Sequence, residues 1–420
     1  MDIGFIGLGD VGKTKAKQLA QHGYSVFGCD LPEKQGKLEE ELAGSGVTIL
    51  DDGVAVVRRC DMVFYAVEAE NIGAVVQRLG VATKYGATAI GLTSVKTPEV
   101  AVYERYLPSD AHIILAHDLY APSVNPIGQT TAVINHRSSR EAYKCAMSVF
   151  ETSGSRIIEL PNYQTHDKIT ADTQAVTHLG FLSMGTAWKN EGLFPWESAS
   201  YTSGIDNVKI LMMLRIYGGK SHVFGGLAIL NPYSQEQATQ YDSSTSWLFK
   251  HITTEDSREF KRRITQAGEN IFGTIEAPIL IDDKLIEEYH LGDVQARKPN
   301  SHLSLLAMVD SWNELNINPY KHLLCQTPIF RLRLGIAEYL FRSPALLQES
   351  IETALCDRTI RGDDYEFCTA VHEWSSLIRR GDIKGYKQQF DETKEFFKVR
   401  ISEGIKRSGD MIARIVKPQS

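Results

Sequence analysis

The 420 residues are enough for two or three domains, each with its own core, and 43% hydrophobic with 23% charged residues is ordinary for a globular chain. A formal charge of −7 argues against the broad positive field of a nucleic-acid binder, and no apolar run reaches the ~18–20 residues that span a bilayer. The six cysteines (Cys29, Cys60, Cys145, Cys325, Cys356, Cys368) follow no CxxC or metal-ligand spacing, and "MDIGFIGLGDVG" shows no basic n-region or cleavage site; together these predict reduced thiols, no metal and a cytoplasmic location.

The chain opens on "GFIGLGDVG", which places Gly7, Gly9 and Gly12 in GxGxxG spacing between a strand-like run and a helix-like one. In that setting the first glycine permits a tight turn and the second lets the backbone approach a pyrophosphate. The third allows close helix–strand packing, with the helix N-terminus facing the phosphates. Residues Gly7, Leu8, Gly9, Asp10, Val11 and Gly12 are therefore expected to line a dinucleotide. Asp30 ends the next strand-like run at about the interval where an acid meets the adenosine ribose, which favours NAD. Lys13, Lys15 and Lys34 lie near enough in sequence to receive a 2′-phosphate instead.

Up to residue 160, "IGFIGLG", "SVFGCD", "MVFYAV", "ATAIGLT", "AHIILAHD", "TAVINH" and "RIIEL" look like strands. "GKTKAKQLAQHG", "GAVVQRLG" and "TPEVAVYERYL" look like helices between them. Such alternation predicts a mostly parallel sheet covered on both faces. Ser94 follows one strand-like run and His117 another, and strand carboxyl ends in such a sheet face the ligand crevice. Oxidising an alcohol removes a hydride and a proton together, so a neutral histidine with a serine beside it suits the task. A strand-end histidine held only by structure, and a serine capping the helix at "KTPEV", are the alternatives.

From 161 to 420 the stretches 166–191, 234–273, 301–316, 329–355 and 363–405 carry helical periodicity, predicting an α/β domain over 1–160 and a helical domain over 161–420. The helical part opens on "HDKITADTQAVTH", where His166, Asp167, Asp172 and His178 make a polar start that suits a lined cleft or a solvated first turn. Arg215 in "LRIYGGKSH" and Arg331 in "PIFRLRL" stand in apolar surroundings, where a buried arginine needs a carboxylate from protein or ligand. "THLGFLSMGTAWKNEGLFPW" (177–196) and "SHLSLLAMVDSWNELNINPY" (301–320) align without gaps and share six of twenty residues, His178/His302 and Trp188/Trp312 among them. Two amphipathic helices of like composition would give some of this; a duplicated helical unit, paired within one chain, would give all of it.

In order along the chain, "GFIGLGDVG", "GLTSVK", "AHDLYAPSV", "INHR", "HDKITADTQAVTHLGFLSMG", "PNSHLSLLAMVDSW" and "TPIFRLRLGIAEYLF" resemble segments of the prephenate dehydrogenase family, most closely its fungal NADP-dependent form. The resemblance implies an α/β Rossmann-like domain followed by an all-α dimerisation-type domain like the C-terminal domain of 6-phosphogluconate dehydrogenase. It implies oxidative decarboxylation of prephenate to 4-hydroxyphenylpyruvate on the tyrosine pathway, with NADP as cofactor and NAD as the alternative that Asp30 favours. His117 matches the catalytic base, Ser94 the serine that assists it, and Lys96 follows in the same segment. His166 and His178 match positions bordering the substrate. Bacterial members follow the histidine with Pro-Met, whereas Asp118 and Leu119 stand here. Where the family has a carboxylate-gripping arginine this chain has Tyr339, which leaves Arg331, Arg215 and Lys220 to hold the substrate. The family's habit implies a homodimer; the internal repeat would allow a pseudo-dimeric monomer instead. Arogenate dehydrogenase is the neighbouring reading, and a nucleotide-sensing regulator without turnover is the non-enzymatic one.

Overall fold

The computed structural model describes residues 1–122, 124–198, 201, 204–273, 279, 281, 283–289, 291, 298–320 and 328–416. It forms two units, Met1–Ile169 and Thr170–Ser420.

The first unit holds one eight-stranded sheet: β1 (Asp2–Ile6), β2 (Ser25–Cys29), β3 (Val47–Ile49), β4 (Met62–Tyr65), β5 (Thr88–Gly91), β6 (His112–Asp118), β7 (Thr130–Arg137) and β8 (Arg156–Glu159). Their order is β3-β2-β1-β4-β5-β6-β7-β8. The helices are α1 (Asp10–Gln21), α2 (Gln35–Leu42), α3 (Gly53–Arg59), α4 (Ile72–Leu79), α5 (Lys96–Tyr106) and α6 (Arg140–Glu151). β4 and β5 are buried at every residue, as strands covered on both faces must be, and two apolar clusters result. Strand order reverses beside β1, which puts the glycine turn at the switch point. The sheet is mostly parallel, as expected; the exception is β7, which runs antiparallel to β6, with β8 parallel to β7. Four elements have no counterpart among the sequence expectations, namely β3, α2, α3 and α6. β3 is only three residues long. α3 carries Val54, Val56 and Val57, poor helix formers, and starts where the Asp52 carboxylate accepts from the Ala55 N–H at 2.8 Å.

The second unit is helical: α7 (Tyr163–Asn190, begun in the first unit), α8 (Ile205–Tyr217), α9 (Ser221–Leu230), α10 (Pro232–Thr253), α11 (Ser257–Phe272), α12 (Asp283–Glu288), α13 (Leu303–Glu314), α14 (Pro328–Arg342), α15 (Pro344–Cys356), α16 (Arg361–Arg380) and α17 (Ile383–Val416). Three of the long stretches expected to be helical are each broken. Glu255 at φ 56° parts α10 from α11, Pro344 starts α15 under the Ser343 cap, and Gly381 at φ 66° ends α16. Leaving out α12, the succession α7–α11 recurs as α13–α17. His178 and His302 stand 124 positions apart, and so do Lys209 on α8 and Arg333 on α14. Trp188 and Trp312 are both buried in the helical core. The duplication is therefore a repeat of five helices, well beyond one shared segment.

Among the described residues no helix is long and apolar enough to cross a membrane, and no three His, Cys, Asp or Glu side chains are grouped to hold a metal. Cys29, Cys60, Cys145, Cys356 and Cys368 are free thiols; Cys325 lies outside the described residues.

Candidate active site

The glycine turn shows a division of labour among its residues. Gly7 has φ +94°, and a Cβ there would meet the Ala66 carbonyl oxygen at 2.5 Å; one on Gly12 would meet the Gly7 oxygen at 2.1 Å. Gly9, at the N-cap of α1, has nothing within 4 Å of a Cβ position, so this backbone is open to a ligand where the helix presents its free N–H groups. The residues fit a pyrophosphate. Leu8 contributes backbone only, since its side chain is buried in the core, while Asp10 and Val11 are exposed at the helix start.

Asp30 does not stand free for a ribose. Its Oδ2 accepts from the Leu8 N–H at 2.8 Å, and its Oδ1 accepts from the Leu31 N–H at 2.8 Å and from Lys34 Nζ at 3.1 Å. Burial pushes this carboxyl up, but the two backbone donors and Lys34 outweigh it and hold it below the usual range. Asp30 is 9% exposed and Lys34 is 53% exposed, so the charge offered to solvent here is positive. Lys13 and Lys15 are engaged elsewhere, with Glu41 at 2.5 Å and Asp118 at 2.7 Å.

His117 ends β6, half-buried, at the head of a hydrogen-bonded chain. Its Nδ1 lies 2.9 Å from His166 Nε2, and His166 Nδ1 lies 2.8 Å from Asp167 Oδ1. The protons along it can be assigned from the acid end. Donors from His166, Lys96 and Thr97 hold Asp167 ionised, below its usual pKa despite burial. A carboxylate only accepts, so His166 donates from Nδ1 and presents the Nε2 lone pair to His117. His117 then donates from Nδ1, which leaves its Nε2 as a bare lone pair. Burial, with the neighbouring His166 and Lys96 adding to it, presses the His117 pKa well below 6.5. His166 is lowered chiefly by burial, with Asp167 opposing. The outcome is a neutral imidazole with one fixed tautomer, suited to accept a proton.

Asp167 has a second task. It accepts the N–H of Lys96 at 2.8 Å, the N–H of Thr97 at 2.7 Å and the Thr97 hydroxyl at 2.7 Å, capping α5 from 70 residues away. Val95, the N-cap itself, makes no side-chain cap, and Ser94 does not cap the helix either. Among the described residues the half-buried Ser94 hydroxyl makes no hydrogen bond.

Lys96 requires a correction, because its ammonium is not available to a substrate. The side chain is fully buried, and Nζ donates to the Gly91 oxygen at 3.1 Å, the Ala116 oxygen at 2.8 Å and Glu99 Oε2 at 2.9 Å. Three donors meet three acceptors. Since Gly91 ends β5 and Ala116 precedes His117, Lys96 ties the strand ends and the base into one frame.

In the helical unit Arg333 is coupled electrostatically to Arg215 and to His178. Arg333 on α14 is 5% exposed, lies 5.7 Å over the Phe181 ring, and has an Nε without a hydrogen-bond partner. Burial, then the charge of Arg215, lowers it to about 9. Arg215 donates to the Ser408 hydroxyl at 3.2 Å and the Ile405 oxygen at 3.3 Å, both neutral. Burial, with Arg333 added, holds half-buried His178 well below 6.5. Among the described residues neither arginine meets a carboxylate. Sequence reasoning pointed to Arg331 and missed Arg333; Arg331 is half-buried and its Nε also lacks a partner. Lys220 is exposed at the N-cap of α9.

Comparison with known proteins agrees with both units. A model described as NADP oxidoreductase, coenzyme F420-dependent, matches residues 2–93, and one described as a 6-phosphogluconate dehydrogenase C-terminal domain matches residues 175–417. A protein of Schizosaccharomyces pombe named probable prephenate dehydrogenase, NADP(+), is 41% identical over 99% of this chain and 97% of its own. The Saccharomyces cerevisiae protein named prephenate dehydrogenase, NADP(+), is 41% identical over 100% of this chain and 94% of its own. The crystal structure of prephenate dehydrogenase from Aquifex aeolicus in complex with hydroxyphenyl propionate and NAD+ matches at TM-score 0.51 and 15% identity, covering 62% of this chain and 94% of that one, and so shares the fold. At this identity over nearly the whole of two relatives, the chain belongs to the prephenate dehydrogenase family.

Proposed function

We propose that the protein oxidatively decarboxylates prephenate to 4-hydroxyphenylpyruvate with reduction of NADP, a step towards tyrosine. The observation that carries the reading is the chain Asp167–His166–His117, which fixes a bare imidazole nitrogen at the carboxyl end of β6. His117 Nε2 takes the proton of the C4 hydroxyl, and the charge it acquires is met through His166 by the Asp167 carboxylate. NADP⁺, held over the Gly7–Gly12 turn, would supply the acceptor for the hydride that leaves C4. The C4 carbonyl so formed draws the electrons of the C1–carboxylate bond into the ring, and CO₂ leaves. Aromatisation drives the step, so the protein's work is to position, deprotonate and bind anions. Ser94, with its hydroxyl uncommitted, would hold the reacting oxygen.

NADP is favoured over NAD by the exposed Lys34 ammonium and by the inward use of Asp30. The names of the two yeast relatives support the same cofactor. Following reduced cofactor at 340 nm with prephenate or arogenate, each with NADP or NAD, tests the reading directly. Prephenate with NADP should be turned over at least tenfold more efficiently than the other three pairs; preference for arogenate would move the chain to the neighbouring activity.

The two arginines that lack carboxylates suit a dicarboxylate substrate, since a buried guanidinium left unpaired is costly and an anion relieves it. Arg333→Met should raise KM for prephenate about 10²-fold while KM for NADP stays within twofold, the effect of deleting a buried, charge-assisted hydrogen bond to the substrate. An unchanged KM for prephenate would remove Arg333 from the substrate's carboxylates.

A further inference from the structure

The five-helix repeat yields two copies of one arrangement, and they have diverged. In each, a histidine of one repeat is set against a cation of the other: His178 with Arg333, and His302 with Lys209. In the first copy the guanidinium lacks an acid. In the second, Lys209 Nζ lies 2.8 Å from His302 Nδ1 and 3.0 Å from Asp206 Oδ1, with Asn300 Nδ2 donating to Asp206 at 3.3 Å. Lys209 is thus neutralised inside the protein and has no use for an anion. Around it lies a cavity of about 50 Å³ whose charged lining, among the described residues, is Glu191, Asp206, Asp363 and Asp364 with Lys209. Trp188, Tyr201 and Phe367 supply aromatic walls.

One of these acids is incompletely satisfied. Asp364, 4% exposed, accepts the Ser301 hydroxyl at 2.6 Å on Oδ1, and its buried Oδ2 has no partner among the described residues. Tyr201 donates to Asp363, so that carboxylate is served, and Glu191 is exposed. Burial, opposed by Ser301, pushes Asp364 up to about 7, as befits a carboxylate short of a cation. His302 holds its place at φ 48°, a left-handed conformation costly for a side chain of this kind, and so is fixed by its surroundings. The acids do not converge as metal ligands do. The volume admits roughly three or four non-hydrogen atoms.

We propose that the second copy of the histidine–cation arrangement is a binding site for a primary ammonium group, the head of a small amine or amino acid, donating to Asp364 and lying against the face of Trp188. The ammonium supplies the donor that Asp364 Oδ2 lacks, and the indole face adds a cation–π contact. The site is separate from the chemistry proposed above and would stand if that reading failed.

The full chain should be titrated with n-propylammonium chloride at pH 8, by ligand-observed NMR and by thermal unfolding, against equal concentrations of tetramethylammonium chloride and sodium chloride. The expected result is saturable millimolar binding of propylammonium with a rise in Tm, at least tenfold weaker for tetramethylammonium, which has no N–H. Asp364→Asn keeps the side-chain shape and removes the charge; it should abolish the propylammonium response while NADP binding, read by fluorescence, is retained and shows the variant folded. Absence of saturation in the parent protein, an equal response to tetramethylammonium, or undiminished binding in Asp364→Asn would each overturn the proposal.

Discussion

Replacing His117 with Asn is expected to lower kcat for prephenate by about 10²–10⁴, with KM values for substrate and cofactor little changed. Asparagine fills the same space and can still meet His166, yet it has no lone pair basic enough to take a hydroxyl proton. The pH profile gives an independent check. A lowered imidazole pKa means that the base stays neutral, hence active, as pH falls past 6.5, and is lost only when protonated below that. The acid limb of kcat/KM should therefore lie below pH 6.5 and vanish in the residual activity of the variant. Turnover near that of the parent protein would falsify the assignment of His117 as base.

Replacing Lys96 with Met is expected to destabilise the protein by about 3–5 kcal/mol, because it strips from the buried Glu99 the cation it is paired with. It also leaves the Gly91 and Ala116 carbonyls without their donor. Glu99 is raised by burial and held in check chiefly by Lys96, so without the ammonium it must take up a proton or open the structure. Urea unfolding measures the loss. Removing both charges in a Lys96→Met, Glu99→Leu pair should recover most of it, since the cost comes from the orphaned partner. A substrate-binding lysine would behave in the opposite way, with KM rising and stability unmoved.

How far these sites are legible in the sequence depends on the range of the forces involved. The glycine turn is local: spacing alone demands Gly7 and Gly12, and the contacts at 2.5 and 2.1 Å show why no side chain fits. His117 can be placed because a strand end tells where its side chain starts. Asp167 stands out only as one polar residue among several, since its partners Lys96 and Thr97 lie 71 and 70 residues away. Lys96 misleads because a lysine after a strand looks the same whether its ammonium reaches into a crevice or back under the strand ends. The arginines of "PIFRLRL" mislead for a geometric reason. Positions 331 and 333 are about 200° apart around a helix, so one is buried and the other only half-buried, and composition cannot say which. The antiparallel β7 is also out of reach, as no residue type marks strand direction.

Carrying both helical repeats in one polypeptide frees them from a constraint that binds paired identical subunits. In such a pair each mutation is inherited twice, and a change that suits one location must be tolerated at its twin. Here position 209 is a lysine paired with Asp206, while position 333 is an arginine that lies over Phe181. A single gene product can thus carry two locations built on one plan and specialised differently.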